Sequence, residues 1–251
     1  MFRHQGKRRT LKHNVQIASV LSFVAGTVNA AGFLAIKQLT TNVTGHFALF
    51  INDLADFQFW KGTIYFLYIF SFLFGSFTSS FFIETFRKSK KLNVFVIPTV
   101  IEAFVLIFIA LISDFSVVSN ANVIACFLLF AMGIQNSFVT KISDAIVRTT
   151  HLTGLFTDLG IDFSHLFFPK MYPNRQHIKE NIQLRIYIIC FFFFGGLVGG
   201  FMYSRMGLGL DTLIISALIL LASLFYDDFR VRVVLSSKRS LHKKKLFSKS
   251  S

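Results

Sequence analysis

The feature that most constrains this chain is the gathering of its apolar residues into six long blocks, 15–36, 62–83, 94–112, 121–139, 186–203 and 210–225. A helix needs about 20 consecutive apolar residues to cross the roughly 30 Å hydrocarbon layer of a bilayer. Each block meets or approaches that length, and short charged stretches separate them. No ten-residue strand-like alternation appears, which argues against a β-barrel. Inside lipid a helix satisfies its own backbone hydrogen bonds. The expectation is an all-α, polytopic membrane bundle of about six helices. The mean hydropathy of +0.60 agrees, but the clustering is what sets the chain apart from a soluble domain.

A net charge of +14 invites a nucleic-acid reading, and the placement of the charges argues against it. Of the 26 Lys and Arg, 23 fall in four places: the amino-terminal tail (Arg3, Lys7, Arg8, Arg9, Lys12), the second loop (Arg87, Lys88, Lys90, Lys91), the fourth loop (six from Lys141 to Arg185) and the carboxyl tail (eight from Arg230 to Lys249). The alternate loops hold only Lys37, Lys61 and Arg205. Basic residues that flank spans stay in the cytoplasm. Even-numbered loops and both termini are therefore expected inside, with basic tails 1–14 and 227–251 around one membrane domain, 15–226. The lipid bilayer becomes the main partner, and no nucleic acid is expected. The carboxyl run Lys243-Lys244-Lys245 would lie at the anionic lipid surface. Arg8-Arg9 and the following apolar run resemble a signal peptide, but the run is too long and contains Asn29, so it reads as a retained first helix.

The chain also repeats itself. Gly26-Thr-Val-Asn29 matches Gly133-Ile-Gln-Asn136, and the segment 40–47 (TTNVTGHF) matches 149–156 (TTHLTGLF). Asp53 and Asp162 follow at equal distances, and Gly75 with Ser79 match Gly195 with Gly199. The order is conserved, and the offsets grow from 107 to 109 to 120. Repeat one then covers 15–112 and repeat two 121–226. With three spans in each, the second enters the membrane from the opposite face, an inverted-topology arrangement on which many secondary transporters are built.

The stretch 25–35 (AGTVNAAGFLA), the TTNVTG segment at 40–45, GIQN at 133–136 and TTHLTG at 149–154 together resemble the YoaK family, or domain of unknown function 1275. The likeness covers about residues 15–226. It implies a multipass protein of the bacterial cytoplasmic (inner) membrane, with small-molecule transport as the expected activity.

Several residues could carry chemistry. Glu102 lies near the middle of the third block, where a charged group costs about 3 kcal/mol on insertion scales. It is expected to face the bundle interior, either as a coupling carboxyl or as an acid bonded across helices. Asn29, Gln135 and Asn136 place amides within the first and fourth spans, as a polar solute or ion site between the halves or as interhelical bonds. The small residues beside Asn29 would also let that helix break and expose backbone groups. Thr44-Gly45 and Thr153-Gly154 read as hydroxyl-capped helix starts, whose free N–H groups could form half-sites for an anion; plain interfacial helices are the alternative. His151, Asp158, Asp162 and His165 have a near-heptad spacing, but a solvated stripe suits them better than a metal site. Cys126 and Cys190 read as small buried side chains without a disulfide. The glycines at 195, 196, 199 and 200 read as close-packing devices, within the chain or in a homo-oligomer.

No P-loop, HExxH, GxSxG or dinucleotide-binding turn is present. An enzyme, a cofactor and a metal are therefore not expected. The expected function is a secondary transporter or facilitator of a small polar or ionic solute. The alternative is a membrane scaffold that binds lipid or a protein partner without transporting.

Overall fold

The computed structural model describes residues 11–87, 94–116, 121–143 and 145–224. Most of both basic tails, 1–10 and 225–251, lies outside the described residues. Eight helices form: α1 (Leu11–Ile36), α2 (Val43–Ala55), α3 (Phe59–Phe86), α4 (Val96–Ser116), α5 (Ala121–Ser143), α6 (Leu152–Phe167), α7 (Arg175–Ser204) and α8 (Gly209–Leu224), which opens with the 3-10 turn Gly209–Asp211. The six apolar blocks fall on six of them, with Val94 and Phe95 forming a turn ahead of α4 and residue 225 outside the described residues. Four, α1, α3, α5 and α7, are long and apolar enough to cross a membrane. The apolar part of α4, Val96–Ile112, and α8 are shorter.

Local chemistry sets the helix ends. Lys37 takes a positive φ of 54°, which stops α1. The Asn42 side chain then accepts a hydrogen bond from Gly45 N at 3.0 Å and starts α2. The expected threonine caps are not formed. Thr44 and Thr153 lie exposed inside the first turns of α2 and α6, whose N-cap positions belong to Asn42 and His151. Asn42 occupies the N-cap position, from which its side-chain oxygen reaches a free N–H group, whereas Thr44, two residues on, already lies inside the first turn. Nor does α1 break at Asn29: its hydrogen-bonded helix runs through Leu11–Ile36.

Burial separates two inner helices from two outer ones. In α1 and α5, 61% of the apolar window is buried, against 22% in α3 and 17% in α7. The inner pair supplies the core, with Leu21, Val24, Val28, Leu128, Met132 and Ile134 all fully buried. The outer helices turn phenylalanines outward, among them Phe70, Phe74, Phe77, Phe193 and Phe201. That pattern suits lipid, which solvates such side chains as well as a core does.

Glycines bring the helices together. A Cβ built on Gly26 of α1 would fall on the Phe192 carbonyl of α7, and one on Gly195 would fall on the Phe23 carbonyl of α1. The same exchange joins α5 to α3, where Gly133 meets the Phe72 carbonyl and Gly75 meets that of Phe130. These contacts, with those of Thr27 and Gly199, make α1 and α7 parallel. The bonds Tyr68–Asn122 and Lys141–Glu84, near opposite ends of the pair, make α3 and α5 parallel. The inner pair is antiparallel: Gly32 lies against Leu128, while Leu21 accepts from Gln135.

Positions matched in the sequence are also buried alike. The burial classes of 71–80 and 191–200 agree residue for residue, as do those of 41–50 and 150–159. In α4 and α8 the register is 114: Pro98-Thr99, Glu102-Ala103 and Leu106 are buried like Thr212-Leu213, Ser216-Ala217 and Leu220, while Phe104 and Leu218 are exposed.

Candidate functional site

The antiparallel crossing of α1 and α5 carries a matched pair of polar clamps. Thr41, in the turn after α1, donates to the Asn29 side-chain oxygen at 2.9 Å. Thr150, in the turn after α5, donates to that of Asn136 at 2.8 Å. Asn136 also donates to the Met132 carbonyl of its own helix at 2.9 Å. Each asparagine thus folds the following turn back along its helix. Because α1 and α5 are antiparallel, the two clamps sit toward opposite ends of the crossing.

Gln135 joins the halves. Its Nε2 donates to the Leu21 carbonyl of α1 at 2.8 Å and to the Thr149 hydroxyl at 3.3 Å. Its Oε1 is buried and unpartnered, as are the hydroxyls of Ser22 and Thr40. Thr40 and Thr149 are fully buried at matched places.

Glu102 stands apart from this group. It is fully buried, and neither carboxyl oxygen has a hydrogen-bond partner. Phe108 of α4 packs against Phe127 of α5, ring centroids 5.7 Å apart. At 100° per residue, Ile134 and Phe138 share that side of α5, whereas Asn136 is turned about 200° from Ile134. The structure therefore sets Asn29 and Asn136 each with a threonine of its own half, and sets Glu102 on the other side of α5. Ser216 matches Glu102 in register and is likewise buried with an unpartnered hydroxyl. The opening turn of α8 touches α4, so the two helices adjoin. Ser216 carried no signal in the sequence, since the register of 114 emerges only from burial.

The short helices pack as hairpins, α2 on α3 and α6 on α7. Tyr68 donates to Asn122, near the start of α5, at 2.6 Å. The first turns of α3 therefore reach beyond α5, and α2 lies along them. His46 of α2 is buried, with Nε2 donating to the Leu39 carbonyl at 2.7 Å and its ring against Tyr65 and Tyr68. Desolvation lowers its pKa below the ordinary 6.5. In the second hairpin Arg185 pairs with Asp162 and, at 3.4 Å, with Asp158, while His165 stacks on Tyr172. Those contacts account for the polar stripe of α6. Among the described residues no group of three or more His, Cys, Asp or Glu could hold a metal. Cys126 is half-buried and Cys190 exposed, and both are free thiols; the expected burial of Cys190 is not met, because it faces outward from α7.

At the far end of α3 and α5, Glu84 pairs with Lys141 at 2.6 Å and with Arg87 at 3.1 Å. They line a groove of about 330 Å³ with Thr140 and Phe95.

A family model described as "Protein of unknown function (DUF1275)" matches residues 17–226. The chain belongs to the DUF1275 family. The DUF1275 match spans both halves, from α1 past the described end of α8, and so includes both clamps, Glu102 and both hairpins. No curated protein matches the chain, and no solved structure does.

Proposed function

We propose that this DUF1275 protein is a secondary transporter or facilitator for a small polar or ionic solute, built from six spans in two inverted halves. The observation that carries the reading is the antiparallel crossing of α1 and α5, with matched Asn–Thr clamps toward its two ends. Helices that open a repeat and run in opposite directions place the repeat axis across the helices, the arrangement of inverted-repeat transporters. Each clamp can release its own turn while the other holds, which gives one closure for each side of the membrane. Loop charges support a cytoplasmic Thr150 clamp and cytoplasmic termini, and the family resemblance supports a bacterial inner membrane. Glu102 is the proton carrier of the cycle: an acid held away from other polar groups gains and loses its proton only when a partner or water reaches it. The protein performs no covalent chemistry.

A second reading, a scaffold that binds a partner without transport, is favoured by the apolar surface of the hairpins. Phe57, Trp60, Phe167 and Met171 are all more than two-thirds exposed there.

The test uses purified protein in proteoliposomes loaded with a pH-sensitive dye and challenged with a panel of metabolites and salts. The intact protein is expected to move protons with at least one solute, and Glu102→Gln to abolish that movement while keeping its melting temperature. Coupling unchanged in Glu102→Gln would remove the carboxyl from the cycle. No flux across the panel, with a defined protein co-purifying, would favour the scaffold.

A further inference from the structure

The two hairpins are buried alike and differ in charge. In the second hairpin the Arg185 guanidinium of α7 reaches α6 and neutralises Asp162 and Asp158. Asp162 corresponds to Asp53 of α2, and Asp158 to Leu49. Arg185, at the register of 120 that burial supports along α3 and α7, corresponds to Tyr65. The first hairpin thus keeps one carboxylate and lacks its cation. Asp53 Oδ2 is buried and has no hydrogen-bond partner. Lys61, on the facing helix, forms no ion pair with it among the described residues.

A second acceptor stands on the same face of α2. His46 lies seven residues before Asp53, two turns along the helix and only 20° around it. Its Nε2 bonds to a carbonyl, which can only accept, so that nitrogen carries the proton and Nδ1 is left with its lone pair. His46 is 2% exposed, and Nδ1 has no partner. The rings of Tyr65 and Tyr68 adjoin it, with His46–Tyr68 centroids 5.0 Å apart and Tyr65–Tyr68 5.8 Å apart. Two acceptors without donors, beside aromatic faces, suit a group that is both cationic and rich in N–H donors.

We propose that the α2–α3 hairpin binds an organic cation of the ammonium or guanidinium class, with Asp53 taking its charge where Asp162 takes that of Arg185. The cation supplies from outside what the second half carries in its own chain. As the solute class of the transporter, this rests on the reading above; as binding, it stands without it.

The experiment measures melting temperature and calorimetric binding on the full chain in detergent, with millimolar agmatine, putrescine or methylammonium at matched ionic strength. At least one probe is expected to give a saturable upward shift of a few degrees. Asp53→Asn should weaken its binding at least tenfold. Tyr65→Arg should raise the melting temperature without probe, by supplying the internal cation, and should abolish the probe's shift. No saturable shift with any of the three probes would overturn the site, as would a shift that Asp53→Asn leaves unchanged. Saturable, Asp53-dependent binding without flux of that probe into proteoliposomes would keep the site and remove the transporter reading. Flux of another solute without cation binding would do the reverse.

Discussion

Burial holds the His46 imidazole below its usual 6.5, although the Leu39 carbonyl pulls the other way. The folded chain therefore favours the neutral ring, and on acidification the unfolded chain takes up this proton first. The stability His46 contributes is present above pH about 6.5 and is lost as pH falls through the lowered folded value. In detergent, the melting temperature of the intact chain should fall as pH drops below 6.5. The gap between it and His46→Gln, which loses about 1 kcal/mol at neutral pH with the Leu39 bond, should narrow over the same window. Parallel pH curves for the two proteins would take His46 out of the response. Side chains differ in how much of this the sequence discloses. Asn29 and Asn136 stood out because each sits in a repeated motif with a threonine pair following, and both bonds form, across 12 and 14 residues. Tyr65 carried no such signal, and Asp53 showed only as the match of Asp162. What sets them apart is a guanidinium missing from the first half and present in the second, and that shows only once α3 and α7 can be laid side by side.

Helix by helix, the contacts at four glycines decide how the bundle closes. Gly26 and Gly133 occupy matched places, and a Cβ on either would strike a backbone carbonyl of the neighbouring helix. A carbonyl held within a helix cannot turn aside as a side chain can, so the pair must separate. Gly26→Ala and Gly133→Ala should each cost about 1–3 kcal/mol, the range for overfilling a packed core, and by similar amounts. Gly160 of α6 has open space around it. There Gly160→Ala should be neutral or stabilising by up to about 1 kcal/mol, from helix propensity alone. Melting temperatures of the three variants in one detergent check this; equal behaviour of Gly26→Ala and Gly160→Ala would show that the close approach carries no weight. The apolar blocks announced six helices, and each block falls on one, apart from Val94 and Phe95, which form a turn before α4. They understated α3 and α7, whose first turns are polar or mixed and stay helical because α2 and α6 pack along them. Hydropathy along one segment cannot register a partner that arrives from elsewhere in the chain.

For the molecule as a whole, everything turns on which way each half faces. The paired directions within the bundle, α1 with α7 and α3 with α5, are what two three-span units placed upside down to one another require. Loop charge supports the proposed arrangement by an independent route, since 23 of 26 basic residues fall on one side only if six helices cross. The shortness of α4 and α8 is the feature that strains this reading. The apolar stretch Val96–Ile112 of α4 rises only about 25 Å, less than the hydrocarbon layer, and a bilayer accommodates such a span by thinning locally. Thr44 and Thr153 are exposed at matched positions and bear no cap, so either can carry a label without disturbing its helix. In a chain freed of thiols by Cys126→Ala and Cys190→Ser, Thr44→Cys should react with a membrane-impermeant maleimide on intact cells. Thr153→Cys should react only after the membrane is opened. If both react from outside, or both only after opening, the halves share one orientation, α4 does not cross, and the two clamps close the same side of the membrane.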